Sequence, residues 1–177
     1  MTERVKPTLV LTIICIAAAL ILTYAHELTK DSIAEQKALK FSSSAEALFG
    51  DEELTLIDND FGCDEIETIA VTSDGRTAMQ LIVDGYEKDG INLLIGIDES
   101  GAISGIEFVA LNDTPGLGSK VRDIPSFREQ FLGLTEPQNG FDAISGATFS
   151  SRGMKHAVDT ALTVYNENKE AILSGEK

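Results

Sequence analysis

The residues of this chain that could do chemistry gather at Asp142–Arg152, Asp-Ala-Ile-Ser-Gly-Ala-Thr-Phe-Ser-Ser-Arg. Five of these eleven residues are Ser, Thr or Gly, and an apolar-periodic run of helix formers follows. Such residues start helices, because a side-chain oxygen or a bare backbone meets the orphan N–H groups of the first turn. A Thr148 hydroxyl at that point lies at a helix N-terminus, whose partial positive charge suits a phosphate. The residue types describe a phosphate seat with a hydroxyl in it; the plainer alternative is an ordinary helix cap. Arg152 and Lys155 follow by one and two turns, where a phosphodiester would gain from a cation, or they are simple surface charge.

A second cluster, Asn112-Asp113-Thr114-Pro115-Gly116-Leu117-Gly118-Ser119-Lys120, sets a tight turn with Pro-Gly. Its two glycines let the backbone approach another group closely. Together with Asp142-x-x-Ser145-Gly146-Ala147-Thr148-x-Ser150-Ser151, the loop Thr114-Pro-Gly-Leu-Gly resembles the paired landmarks of the FMN-binding domain family. The Gly85-Tyr86…Gly90-Ile91 pattern is similar to that family too. The resemblance covers nearly the whole chain and is nearest to the G subunit of Rnf electron-transport complexes. The related C subunit of the sodium-pumping NADH:quinone oxidoreductase is longer.

The resemblance implies an FMN joined to Thr148 by a phosphoester, installed by a flavin transferase with FAD as donor. It implies that Asp142, Ser150 and Ser151 belong to the transferase motif and that Ser145, Gly146 and Ala147 flank the attachment. Thr114, Gly116, Leu117 and Gly118 would line the isoalloxazine ring, and Lys120 would help stabilise the anionic reduced flavin. The family's loop usually begins with Glu, whereas this chain has Asp113, which keeps the charge and shortens the reach. The implied partners are the other membrane and peripheral subunits of an Rnf-type complex linking reduced ferredoxin to NAD. FMN domains of other extracytoplasmic redox systems, and a flavin-free anchored interaction domain, are the alternatives.

Other chemistries find no residues. There is no nucleophile–His–carboxylate set, no paired acid and base, and no GxGxxG after a strand. His26 and His156 are the chain's two histidines and Cys15 and Cys63 its two cysteines, so no metal-ligand spacing arises. A formal net charge of −15 argues against nucleic acid and against a domain lying on anionic lipid. Its simplest reading is a solvated surface; an acidic face for a basic redox partner is the other.

The elements that must position these residues follow in chain order. Arg4 and Lys6 precede the uncharged run Thr8–Ala25, 18 residues, about the minimum for a membrane-spanning helix. Its length also permits a signal peptide, but no small-x-small cleavage site follows it before Lys30. Basic residues before the span place residues 1–7 in the cytoplasm and the rest outside. Residues 26–50 continue with helical periodicity to Gly50, as a membrane-proximal helix. Asp51–Glu67 is acidic, without Lys or Arg, and is read as a solvated edge of the domain. Thr68–Thr72, Thr77–Tyr86, Ile91–Asp98 and Ala102–Leu111 are strand-like and separated by short Gly turns, which predicts an antiparallel meander. Ile124–Leu132 predicts a short helix, and a longer one follows Thr148 to near Ser174-Gly175.

The expectation is therefore an α+β fold. It has a single transmembrane anchor at 8–25, a membrane-proximal helix at 26–50, and an extracytoplasmic FMN-binding domain at 51–177.

Overall fold

Short Gly-containing turns leave successive strands no choice but to fold back on their neighbours. In the computed structural model five strands do so: β1 (Leu54–Ile57), β2 (Ile66–Thr72), β3 (Thr77–Val83), β4 (Ile91–Ile97) and β5 (Ile103–Leu111) form one antiparallel sheet in chain order. The helices are α1 (Thr2–Phe49), α2 (Lys120–Asp123), α3 (Pro125–Glu129) and α4 (Thr148–Ser174). The fold is α+β. The structure describes residues 2–57 and 61–174, without the side chains of 2–7 and 31–34. Asp58 and Asp60 of the acidic stretch, and Gly175 at the expected end of α4, lie outside the described residues. So do the side chains of Arg4 and Lys6, on which the expected orientation of the anchor rests.

The chain divides into two units, residues 1–40 and 41–177. In the first, Thr8–Lys30 is a helical stretch long and apolar enough to cross a membrane, five residues beyond the expected end. Its large side chains, Leu9, Ile13, Leu20 and Leu22 among them, are exposed. A helix that is apolar all round and buries none of this surface on protein suits lipid. α1 ends where expected: the Gly50 N–H donates to the Glu46 carbonyl at 2.8 Å.

In the second unit, strand alternation gives the sheet two apolar faces. Met79, Leu81 and Val83 of β3 and Ile91, Leu93, Ile95 and Ile97 of β4 share a core with Met154, Val158, Ala161, Leu162 and Tyr165 of α4. Ala70, Ala78, Leu94 and Val109 share a smaller one with Ala45 and Phe49 of α1. The expected membrane-proximal helix thus packs its last turns on its own domain.

Two elements differ from expectation. β1 occupies part of the acidic stretch read as a solvated edge. It pairs with β2 alone, as Leu54↔Thr72 through Ile57↔Ile69, and leaves Leu56 exposed. The helix expected at 124–132 is shorter, Pro125–Glu129, and α2 precedes it. Ile124 is extended (φ −106°, ψ 99°) between them, as a residue before proline prefers.

Tyr165 is fully buried at the centre of α4, and its hydroxyl has no hydrogen-bond partner. Burial pushes the phenol's pKa up, and the nearby Asp98 carboxylate adds to the rise. A buried unpaired hydroxyl costs about 1–3 kcal/mol, against a small void if it is removed. Tyr165→Phe is therefore expected to leave the thermal midpoint unchanged or raised, by up to about 1 kcal/mol of stability. A loss greater than that in a urea melt would contradict the unpaired hydroxyl.

Candidate functional site

The Thr148 loop is built by two local locks. Gly146 has φ +79°, a left-handed conformation that favours glycine, and lets the Ala147 N–H reach back to the Ile144 carbonyl at 3.0 Å. The Ser151 N–H then donates to the Ala147 carbonyl at 2.8 Å, the first helical bond of α4. In return the Ser151 hydroxyl accepts the Ile144 N–H at 3.1 Å. Ser151, fully buried, thereby ties the turn to the helix it precedes.

This geometry makes Ala147 the capping residue and Thr148 the first residue inside the helix. Among the described residues the exposed Thr148 hydroxyl has no hydrogen-bond partner. Thr148 therefore does not cap α4. The backbone N–H groups of Thr148, Phe149 and Ser150 have no acceptor there either, as the first turn of a helix requires.

The second loop faces it. The Leu117 N–H donates to the Thr114 carbonyl at 3.1 Å, with Pro115 and Gly116 (φ +76°) in the middle of the turn, and the Gly116 N–H donates to Ser119 Oγ at 2.9 Å. Between the loops lies a cleft of about 350 Å³, within the range of roughly 300–1,000 Å³ usual for ligand sites. Its walls are Thr114, Leu117, Gly118, Gly146, Ala147, Thr148, Ser150 and the aromatic residues Tyr86 and Phe149.

Of the residues singled out in the sequence, Thr148, Gly146, Ala147, Thr114, Leu117, Gly118 and Ser150 meet at this cleft. Gly116, Ser145 and Lys120 do not line it. Ser145 is exposed beside it, and Lys120 is half-buried at the head of α2. Asp142 lies in a neighbouring hollow with Lys155 and Asp159. Its backbone is held by Gln130, whose Oε1 accepts the Asp142 N–H at 2.9 Å. Lys155 pairs with Asp159 rather than reaching Thr148. Arg152 is exposed in a hollow of about 440 Å³ that it shares with Phe149, Lys88, Glu65 and His156. His156 meets Glu65 at 2.9 Å. Among the described residues no His, Cys, Asp or Glu group could hold a metal ion.

Sequence reasoning quoted Tyr86 only within a family pattern and gave neither Tyr86 nor Phe149 a place in the site. Their rings meet edge to face, 6.2 Å apart at 76°, yet stay 68% and 65% exposed. With Leu117, 50% exposed, they give the cleft an apolar rim. A signal existed: one aromatic follows Gly85 in a turn, and the other stands beside Thr148. What the arrangement offers is apolar rim surface for a ring, free amides for an anion, and a free hydroxyl beside them.

Comparison with known proteins gives concordant results. Residues 85–163 match the model of the FMN-binding domain family, a span that holds both loops and both aromatic residues. The G subunit of the ion-translocating oxidoreductase complex of Aliivibrio fischeri strain MJ11 is 29% identical over 98% of this chain and 96% of its own length. The protein of the same name from Shewanella amazonensis is 27% identical over 89% of this chain and 84% of its own. That of Pseudomonas aeruginosa strain UCBPP-PA14 is 32% identical over 53% of this chain and 50% of its own.

Proposed function

We propose that this chain, whose residues 85–163 are a domain of the FMN-binding family, is the FMN-bearing, electron-relaying G subunit of an ion-translocating oxidoreductase complex, of the Rnf type that links ferredoxin to NAD. In this reading FMN is held by a phosphoester to Thr148. The observation that carries the reading is the free Thr148 hydroxyl, exposed on the cleft wall beneath unpaired amides of α4. An anion there meets aligned N–H groups and the positive end of α4, which runs in helical geometry from Thr148 to a break at Asn168. FMN supplies one- and two-electron chemistry; the protein supplies its position and environment.

The residues fit that cofactor. Tyr86, Leu117 and Phe149 offer apolar surface to a planar ring, and backbone at Gly118 and Gly146 allows close approach. Attachment by a flavin transferase would form the Thr148 Oγ1–P bond and break the pyrophosphate P–O bond of FAD. AMP would leave with its electron pair, and the hydroxyl proton would pass to solvent or transferase. No acid–base constellation for a separate substrate accompanies the cleft among the described residues, which favours relay over independent catalysis. Thr8–Lys30 would anchor the subunit, with the FMN domain extracytoplasmic and the partner subunits in or on the same membrane.

Flavin fluorescence in a denaturing gel tests this reading. The chain co-produced with an active flavin transferase and FAD is expected to fluoresce after denaturation. A dark band, beside a control substrate that lights up, would leave an anchored interaction domain without flavin.

A further inference from the structure

Asp113 is the sole charged residue buried among the described residues, 5% exposed. Its Oδ1 accepts the backbone N–H groups of Tyr86 at 3.0 Å and Glu87 at 3.2 Å. Its Oδ2 is buried without a partner. No Lys, Arg or His of the described residues pairs with it. A buried carboxylate without a counter-ion is costly, and the two amide hydrogen bonds to Oδ1 offset part of that cost.

A Cβ added at Gly85 would lie 2.5 Å from Asp113 Oδ2, and one added at Gly118 would lie 2.5 Å from Asp113 Cβ and 2.8 Å from Oδ2. The same point beside Gly118 is 2.8 Å from Ser150 Oγ. Gly118 and Ser150 both line the cleft, so Oδ2 stands directly behind its wall. The wall itself carries no charged side chain. Packed between glycines, the carboxylate has no room to turn away.

We infer that Asp113 is a fixed negative charge that holds down the reduction potential of a flavin seated in this cleft. The inference rests on the proposed FMN site. Electrons added to the ring system without matching protons raise its negative charge, and a buried carboxylate behind the wall opposes that. Asp113 is thus a positioning residue in two senses: its Oδ1 pins the Tyr86 turn to the cleft, and its Oδ2 fixes the local field.

Asp113→Asn keeps the shape, can still accept both amides, and removes the charge. The test is a dye-mediated spectroelectrochemical titration of the full chain, native and D113N, on the flavin-bearing protein of each, at low and high salt. The expected result is a more positive midpoint in D113N. At a given electrode potential, the ratio of reduced to oxidised flavin should rise about tenfold or more, which is about 59 mV for a one-electron couple or 30 mV for a two-electron couple. The difference should survive high salt, because a buried charge is poorly screened.

An unchanged or lower midpoint in D113N would overturn the inference, as would a difference that salt abolishes. If D113N melts before it can be titrated, D113S, smaller and equally neutral, is measured in its place with the same expected direction. A native chain that carries no flavin at all would sink the FMN reading and this inference with it. A loaded chain with an unmoved potential sinks the inference alone.

Discussion

Thr148→Ala is expected to erase the covalent flavin completely while leaving the fold intact. The two halves of that result have separate causes. Oγ1 is the atom that would form the phosphoester, and without it there is no bond to make. The same hydroxyl is exposed and unpartnered among the described residues, so its loss removes no hydrogen bond from the native state. Surface changes of this kind stay within about 0.5 kcal/mol. In-gel fluorescence should therefore go dark while the thermal melt of the apo protein superimposes on the native one. Thr148→Ser, which keeps a hydroxyl, should restore the signal in part or whole.

The outcome that would contradict the assignment is fluorescence that survives denaturation in the Ala variant. Ser145, exposed one turn before the helix, would then be the next site to test. Ser150 and Ser151 would not, since both are buried and Ser151 is engaged with Ile144.

The second large effect is expected at Gly153, one turn into the buried face of α4. A Cβ there would stand 2.1 Å from the Asp84 carbonyl oxygen and 3.1 Å from Ile91 Cδ1. The nearest atom is backbone at the end of β3 and cannot swing aside. Gly153→Ala adds helix propensity of about 1 kcal/mol, but overpacking of this kind costs about 1–3 kcal/mol or more. The steric term wins, because relief requires the whole helix to retreat from the sheet. We expect a clear drop in the urea midpoint and, since Thr148 and Phe149 ride on the same helix, a fall in flavin loading. A melt equal to or above native would mean that α4 does not approach Asp84 this closely.

The distinction between these variants is also the distinction between chemistry and architecture in this domain. Thr148 is dispensable to the fold and indispensable to the proposed cofactor bond. Gly153 touches no ligand and decides where the cleft wall stands. Asp113 belongs to both groups, since it holds the Tyr86 turn and places a charge behind the wall.

Much of this was legible in the sequence, for a physical reason. Apolar periodicity, Gly-containing turns and helix-starting residues act over a few positions, so a linear reading reaches them. The apolar run from Thr8, the end of α1 at Gly50, the antiparallel order of β2 to β5 and the start of α4 at Thr148 all depend on such local rules. The motif around Thr148 is local too, so the turn and the helix start that it forms could be read from neighbouring residues.

Tertiary structure alone decided the rest. β1 escaped notice because an edge strand of four residues buries little and its acidic surroundings speak for solvent; only pairing with β2 makes it a strand. Tyr86 and Phe149 became a rim when β3's outgoing turn met the first turn of α4. Lys120, adjacent in sequence to the cleft loop, was carried out of the lining by α2. The sequence marks Asp113 as the charge that begins the cleft loop, but its burial appears only when Gly85 and Gly118 close around it. Each of these outcomes rests on contacts between segments distant in the chain, whose approach is set by packing and not by any neighbouring residue.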